Sequence, residues 1–187
     1  YVLDAVMQAA ELGIVSPILV GDAAQIGQIL SDLGADASKA RIVNESDKTE
    51  ACMVAARLVR DGEADFLMKG IVDTAVIMRA ILNRDNGLRT GRMISDVLAL
   101  EIDGYDRLFL VTDPAMSIAP TLEQKADLIR NAVQISHALG NERPKVAVLA
   151  AVEKVNEKMP CTVDAAELQA IEDRETLLAR FAELKEE

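Results

Sequence analysis

Between residues 1 and 83 the chain alternates amphipathic helical stretches with short apolar runs, and glycine or aspartate stands at most of the junctions. The helical periodicity predicts helices over 1–12, 23–33, 48–61 and 75–83. The apolar runs predict strands over 16–20, 41–43 and 65–68. Asp22 is placed to cap the second helix, and Ser46 or Asp47 is placed to cap the third. This β-α-β-α order is typical of a parallel sheet with right-handed crossovers.

The alternation changes after residue 83. Two strand-like runs, 96–102 and 107–112, flank Asp103-Gly104-Tyr105-Asp106, which predicts an antiparallel hairpin. The sequence therefore predicts an α/β fold whose sheet is mostly parallel and includes one antiparallel hairpin.

Further helices and one more strand are predicted beyond the hairpin. Thr121 and Gln124 have the spacing of a capping box. The predicted elements are a helix over 122–139, a strand over 144–149, a helix capped by Asp164 that reaches about Ile171, and an amphipathic helix over 175–187. The loop over 113–120 is bracketed by prolines and is the best candidate for a hinge between two lobes.

Composition narrows the classes of function. The net charge of -11 argues against nucleic acid and against anionic membrane surfaces, because both require a basic face. The chain has no apolar run of the roughly 18 residues that a bilayer span needs, and it opens without a signal-peptide pattern. Cys52 and Cys161 form no CxxC pair, which fits free thiols in a reducing compartment. We therefore expect a cytoplasmic protein.

Lys69 and Gly70 follow a predicted strand, and in an open α/β sheet the carboxyl ends of strands are where ligands bind. A cation beside open backbone would suit a phosphate or carboxylate. The alternative is a surface lysine beside a turn glycine.

A second cationic segment is Arg89-Thr90-Gly91-Arg92, with Ser95 close behind as a candidate catalytic residue. Two guanidinium forks and two hydroxyls can bind a phosphate through several hydrogen bonds. The alternative is a solvated loop that carries charge for solubility.

Three later segments hold further candidates. Asp113 ends a predicted strand, where it can orient a thiol or hydroxyl, act as a base, or simply form an Asx turn. Lys154 and Asn156 follow the predicted strand over 144–149, as part of a binding site or of a solvated loop. Met116 lies in a loop and is either core filler or the wall of an apolar acyl pocket. The single histidine, His137, excludes a histidine-rich metal site, and we expect no metal.

The sequence resembles the phosphate acetyl/butyryl transferase family, and its phosphate butyryltransferase branch more than its acetyl branch. The similarity covers about residues 1–170. The residues that carry it are 67–74, 87–91, 104–120, 122–125 and 146–156.

The resemblance implies that acyl-CoA and phosphate are converted reversibly to acyl phosphate and CoA. It implies two α/β lobes of the isocitrate/isopropylmalate-dehydrogenase-like type with the site in the cleft between them; we expect residues 1–115 in the first lobe and 116–187 in the second, both incomplete. It also implies a homodimer or higher homo-oligomer. No cofactor is expected, since CoA is a substrate or product. Such a reaction must hold two anions close together and stabilise an oxyanion, which the cationic segments suit.

The sequence departs from the family at its ends. Family members have a strand before Tyr1 and continue past Glu187, and in the acetyl branch the later segment carries a serine and an aspartate tied to catalysis. Nothing after Ile171 matches that segment, so we expect part of a longer protein or a truncated paralogue, with little transferase activity of its own. A non-catalytic module that binds CoA or acyl phosphate remains an alternative. A metal- and nicotinamide-dependent decarboxylating dehydrogenase is a third, but it needs an aspartate cluster that the sequence does not show.

Overall fold

The computed structural model of the protein describes residues 1–85 and 88–183, in two compact units, Tyr1–Thr90 and Gly91–Glu187. Gly87 of the family resemblance, and the end of the helix predicted over 175–187, lie outside the described residues. The hairpin packs on the long helix that follows it and therefore belongs to the second unit.

The first unit begins with the predicted β-α-β-α order. Its elements are α1 (Val2–Glu11), β1 (Ile18–Gly21), α2 (Ala23–Asp32), a short 3-10 helix (Ala37–Lys39), β2 (Arg41–Asn44), α3 (Lys48–Arg60) and α4 (Thr74–Ile81). Strands β1 and β2 are parallel and pair from Ile18 with Arg41 to Gly21 with Asn44. Helix α2 is the crossover between them, as the sequence predicts.

Side-chain caps explain where α2 and α3 begin. The carboxylate of Asp22 accepts hydrogen bonds from the backbone N–H groups of Ala24 and Gln25, at 2.9 and 3.0 Å. Asp47, one of the two predicted candidates, accepts from Thr49 and Glu50 in the same way at the start of α3. These bonds satisfy N–H groups that have no partner within their own helix.

Two apolar clusters stabilise the first unit. Met7, Leu19, Ile26 and Leu30 bring α1, β1 and α2 together. Cys52 and Ala56 of α3 pack on Ile77 and Ala80 of α4. Burial raises the pKa of the Cys52 thiol.

The second unit contains the predicted hairpin and two helices. Its elements are β3 (Val97–Leu100), β4 (Phe109–Thr112), α5 (Leu122–Ala138) and α6 (Pro160–Glu183). Strands β3 and β4 are antiparallel, with Val97 opposite Thr112. The capping box of α5 is confirmed: the Thr121 hydroxyl accepts from Gln124 N, and the Gln124 side chain accepts from Thr121 N.

The strands predicted over 65–68 and 144–149 are wrong. Within residues 1–85 and 88–183, neither segment joins the β1–β2 pair or the β3–β4 pair. Phe66 is 66% exposed and Leu149 is 88% exposed, so these apolar runs are not buried as central strands would be. A strand is stabilised by a neighbouring ladder of hydrogen bonds, and an apolar run cannot supply that neighbour itself.

The start of the last helix also differs from the prediction. Helix α6 begins at Pro160 rather than after Asp164, and proline is favoured in the first turn because it has no N–H to satisfy. Asp164 instead forms an ion pair with Lys125 of α5. In residues 1–85 and 88–183, no helix has the length and apolar character needed to cross a bilayer.

Replacing Leu30 tests the core of the first unit. Leu30 is 1% exposed, so Leu30→Ala should lower the free energy of unfolding by about 2–5 kcal/mol through lost apolar contact and a residual cavity. Leu33→Ala is the matched control because Leu33 is 44% exposed, and it should change that free energy by less than about 1 kcal/mol. Urea unfolding measures both, and equal losses would contradict the assigned core.

Candidate functional site

In the first unit, Lys69 lies on a tight turn that leads into α4. Its ammonium donates to the Val72 carbonyl at 3.0 Å, and Val72 N donates to the Gly70 carbonyl at 3.0 Å. Lys69 and Gly70 are exposed. A Cβ added at Gly70 would meet no described atom within 4 Å, so local packing among the described residues does not require glycine there. The turn therefore presents a cation and accessible backbone to solvent.

The rest of the cationic segment divides between the two units. Arg89 and Thr90 are exposed at the end of the first unit, after the partly buried Leu88. Gly91 opens the second unit with a φ of +86°, a conformation that side chains with a Cβ rarely adopt. Arg92 and Ser95 follow Gly91 in the second unit.

Helix α5 holds the segment from Arg92 to Ser95 in place. Asn131 donates from its side-chain nitrogen to the Met93 carbonyl and to the Ser95 hydroxyl oxygen, both at 2.9 Å. Met93 N donates to the Asp127 carboxylate at 3.0 Å. These contacts lie in a partly buried environment, so the backbone around Ser95 is fixed rather than solvated.

Arg92 extends from this fixed segment. A guanidinium nitrogen lies 3.4 Å from the side-chain oxygen of Gln134, and the Arg92 side chain is exposed. At this distance the contact is long for a hydrogen bond and leaves most of the guanidinium available. The backbone that carries Arg92 is held by α5, while the charged end of its side chain is exposed. This combination suits anion binding.

Asp113 lies beside this segment because of the hairpin register. Thr112 faces Val97, so the next residues outward, Asp113 and Asp96, are neighbours. The Thr112 hydroxyl donates to the Asp96 carbonyl at 3.0 Å. The second unit therefore brings together Ser95, through Asp96, and Asp113, which are the two residues predicted to be catalytic.

The Asp113 carboxylate organises the loop that follows it. It accepts from Ala115 N at 3.2 Å, Met116 N at 2.9 Å and the Ser117 hydroxyl at 2.6 Å. Burial raises the pKa of Asp113, but the hydrogen bonds from Ser117, from Met116 and Ala115, and from the Asp96 backbone together outweigh it, so the pKa lies below its ordinary value. A carboxylate with a lowered pKa is a weak base, and this geometry fits the orienting role or the Asx turn.

Met116 and Lys154 lie in different surroundings. Met116 is 41% exposed in the loop that Asp113 organises. Lys154 lines a cavity of about 780 Å³ between α5, α6 and the segment 146–155, and Met116 is not part of that lining. Apolar residues dominate the lining, which includes Ile129, Val133, Val148, Val152 and Leu168.

Asn156 is held by the start of α6. Its backbone N–H donates to the Thr162 hydroxyl at 2.8 Å, and its side-chain oxygen accepts from Lys158 N at 3.0 Å. These contacts give Asn156 a structural role in the turn before the helix. A group of three or more His, Cys, Asp or Glu side chains able to hold a metal ion is absent from the described part of the chain.

Sequence reasoning missed the polar residues that build the site from α5. Asp127, Asn131 and Gln134 recur at helical spacing and therefore share one face of the helix. A polar stripe on a helix usually faces water, so the sequence alone gives little indication that these residues hold another segment. The contacts to residues 92–95 reveal its role.

The family is shown by comparison with known proteins. Residues 46–178, which include every candidate residue named above, match the phosphate acetyl/butaryl transferase family. The chain belongs to this family, and the resemblance seen in the sequence is confirmed.

Individual proteins similar to this chain carry names from the same family. The chain is 45% identical over 173 residues to a phosphate butyryltransferase of Clostridium acetobutylicum, covering 92% of this chain and 58% of that protein. It is 43% identical over 167 residues to a probable phosphate butyryltransferase of Bacillus subtilis, covering 89% of this chain and 55% of that protein. A phosphate acetyltransferase of Thermotoga maritima is 38% identical over 174 residues, covering 93% of this chain and 59% of that protein. The chain thus spans less than two thirds of the length of these relatives.

A solved structure shares the fold. A branched-chain phosphotransacylase from Enterococcus faecalis V583 matches with a TM-score of 0.67 and 28% identity. The match covers 82% of this chain and 63% of that one.

The lowered pKa of Asp113 predicts an acid-dependent contribution to stability. A carboxylate whose pKa is lowered by folding stabilises the fold above its ordinary pKa of 3.8, and that stabilisation is lost as the pH falls through the lowered value. Asp113→Asn should therefore lower the free energy of unfolding at pH 7, and the gap from the unsubstituted protein should close as the pH falls below about 4.

Unfolding curves measured from pH 7 to pH 3 check this. Asp103→Asn makes the same chemical change at an exposed position in the hairpin turn and serves as the control. A gap for Asp113→Asn that stays constant with pH would contradict the assigned hydrogen bonds.

Proposed function

We propose that the protein carrying this chain transfers a short acyl group, butyryl or a similar one, between CoA and inorganic phosphate. The observation that carries the proposal is the 45% identity over 173 residues to a phosphate butyryltransferase. Every residue that we assign to the reaction lies within the stretch that matches the family.

The reaction itself sets what the site must supply. An oxygen of phosphate attacks the thioester carbonyl and forms a C–O bond, after which the C–S bond breaks and its electron pair leaves with CoA as a thiolate. The proton that hydrogen phosphate loses on forming the acyl phosphate is balanced by the proton that the thiolate takes up to give free CoA. The site must bring two anionic substrates together and stabilise the oxyanion of the intermediate.

The second unit supplies groups suited to both needs. In our proposal the exposed guanidinium of Arg92 binds phosphate. The Ser95 hydroxyl, whose oxygen accepts a hydrogen bond from Asn131, donates a hydrogen bond to the developing oxyanion. Asp113 positions the Ser117 hydroxyl and the loop that carries Met116, rather than removing a proton, because its pKa is lowered. Met116 contributes an apolar surface for the acyl chain.

The remaining candidates are assigned to substrate binding. Lys69 with Gly70, and Arg89 with Thr90, form exposed cationic segments of the first unit that suit the phosphates of CoA. The backbone at Gly91 is accessible to an anion because glycine carries no side chain. Lys154 places a cation at the rim of an apolar cavity, with Asn156 fixing the turn beside it.

The proposal extends to the type of fold, the oligomeric state and the compartment. We propose the two-lobed fold of the isocitrate/isopropylmalate-dehydrogenase-like type, with residues 1–115 and 116–187 contributing to separate lobes, and a homodimer or higher homo-oligomer in the cytoplasm. The TM-score of 0.67 to a phosphotransacylase supports the fold. We propose that no metal or redox cofactor takes part, since phosphate and CoA supply all the reacting atoms.

The deciding experiment follows thiol release from butyryl-CoA by the purified protein that carries this chain. Release should require inorganic phosphate and should yield butyryl phosphate in equal amount. Binding of butyryl-CoA without release would favour the alternative of a non-catalytic module. Absence of thiol release, together with reduction of a nicotinamide dinucleotide by a hydroxy acid in the presence of a divalent metal, would favour a dehydrogenase instead.

Arg92→Ala tests the phosphate site. Loss of a charge-assisted hydrogen bond of about 1.5–3 kcal/mol should weaken phosphate binding about ten- to hundredfold, with a smaller effect on the KM for butyryl-CoA. Arg107→Ala removes the same charge from the exposed hairpin turn and should leave phosphate binding unchanged. Calorimetry with phosphate measures both variants, and unaltered affinity in Arg92→Ala would remove Arg92 from the site.

A further inference from the structure

We infer that Asn131 of α5 is a positioning residue that sets the direction of the Ser95 hydroxyl. The inference rests on the proposed function, since Ser95 is placed there as the donor to the oxyanion. Asn131 is not among the candidate site residues predicted from the sequence.

The geometry around Asn131 leaves its amide group little freedom. The side-chain nitrogen has two hydrogens, and one bonds to the Met93 carbonyl while the other bonds to the Ser95 oxygen, both at 2.9 Å. Asn131, Met93 and Ser95 are each partly buried. The amide therefore ties the hydroxyl to the backbone two residues before it.

The consequence for Ser95 is a restricted range of directions for its own proton. A hydroxyl has one hydrogen and two acceptor positions, and Asn131 occupies one of the acceptor positions. The hydrogen then points away from Asn131, because two hydrogens would otherwise meet. A hydrogen bond accepted from an amide also polarises the O–H bond and strengthens the bond that the hydroxyl donates.

Neighbouring contacts keep α5 and the segment in register. Asp127 lies one turn before Asn131 and accepts from Met93 N, while Gln134 lies about one turn after it and contacts Arg92. The helix therefore holds the segment that carries Arg92 and contacts the Ser95 hydroxyl from one face. Asn131 is the member of this face that contacts Ser95 directly.

The informative substitution is Asn131→Asp, which keeps the size of the side chain and replaces its donor nitrogen with a carboxylate oxygen. The carboxylate would accept the Ser95 proton and turn the hydroxyl away from the substrate. We expect the kcat for butyryl-CoA and phosphate to fall about tenfold or more, with both KM values within about twofold. Asn141→Asp is the matched control, because the Asn141 contact to Arg143 N uses the side-chain oxygen that aspartate keeps.

A double-mutant cycle with Ser95→Ala separates positioning from general stability. If Asn131 acts through Ser95, adding Asn131→Asp to Ser95→Ala should lower kcat no further. Asn131→Ala, which brings no carboxylate near the Met93 carbonyl, replaces Asn131→Asp in the cycle if the latter fails to fold. Equal fractional losses in both backgrounds, or a loss that parallels the folded fraction, would overturn the inference.

Failure of the proposed function and failure of the role of Asn131 give different results. If the unsubstituted protein releases no thiol from butyryl-CoA with phosphate, the proposed function is overturned and this inference with it. If the unsubstituted protein is active but Asn131→Asp and Asn131→Ala retain its full kcat, the inference alone is overturned.

Discussion

The second unit depends on the division of helix α5 into an apolar and a polar face. Ala126 and Leu128 are buried, while Asp127 and Asn131 use their polar groups to satisfy the backbone of Met93. A partly buried N–H or C=O without a partner would cost more free energy than the hydrogen bond returns when it forms. The helix therefore does more than cover the hairpin. It determines where the segment before β3 can lie.

This constraint explains why the candidate groups of the second unit lie together. The segment held by α5 leads directly into β3, and the pairing of β3 with β4 brings the end of β4 beside it. Asp113 then fixes its loop through hydrogen bonds that are strongest while the carboxylate is ionised. Polar contacts thus set both sides of the candidate site, and apolar packing supplies the frame.

Helix caps and the pairing of strands that follow one another in the sequence could be predicted, and the fate of isolated apolar runs could not. Asp22, Asp47 and the pair Thr121 and Gln124 bond to residues two or three positions away, so their spacing reveals them. The strands predicted over 65–68 and 144–149 failed because an apolar run does not specify its neighbour. The same contrast holds for the candidate site. Its glycines and cations could be seen in the sequence. The helix residues Asp127 and Asn131, which contact Met93 and Ser95, become visible only through contacts across more than thirty positions.

The burial of Cys52 has a practical consequence. Cys52 is 7% exposed at the contact of α3 with α4, and burial raises the pKa of its thiol. An alkylating reagent needs both access and a thiolate, so modification of Cys52 requires the two helices to separate. When the helices close again faster than the reagent reacts, the rate of alkylation reports the fraction of time that this contact is open, and a reagent that reacts faster than closure reports the rate of opening.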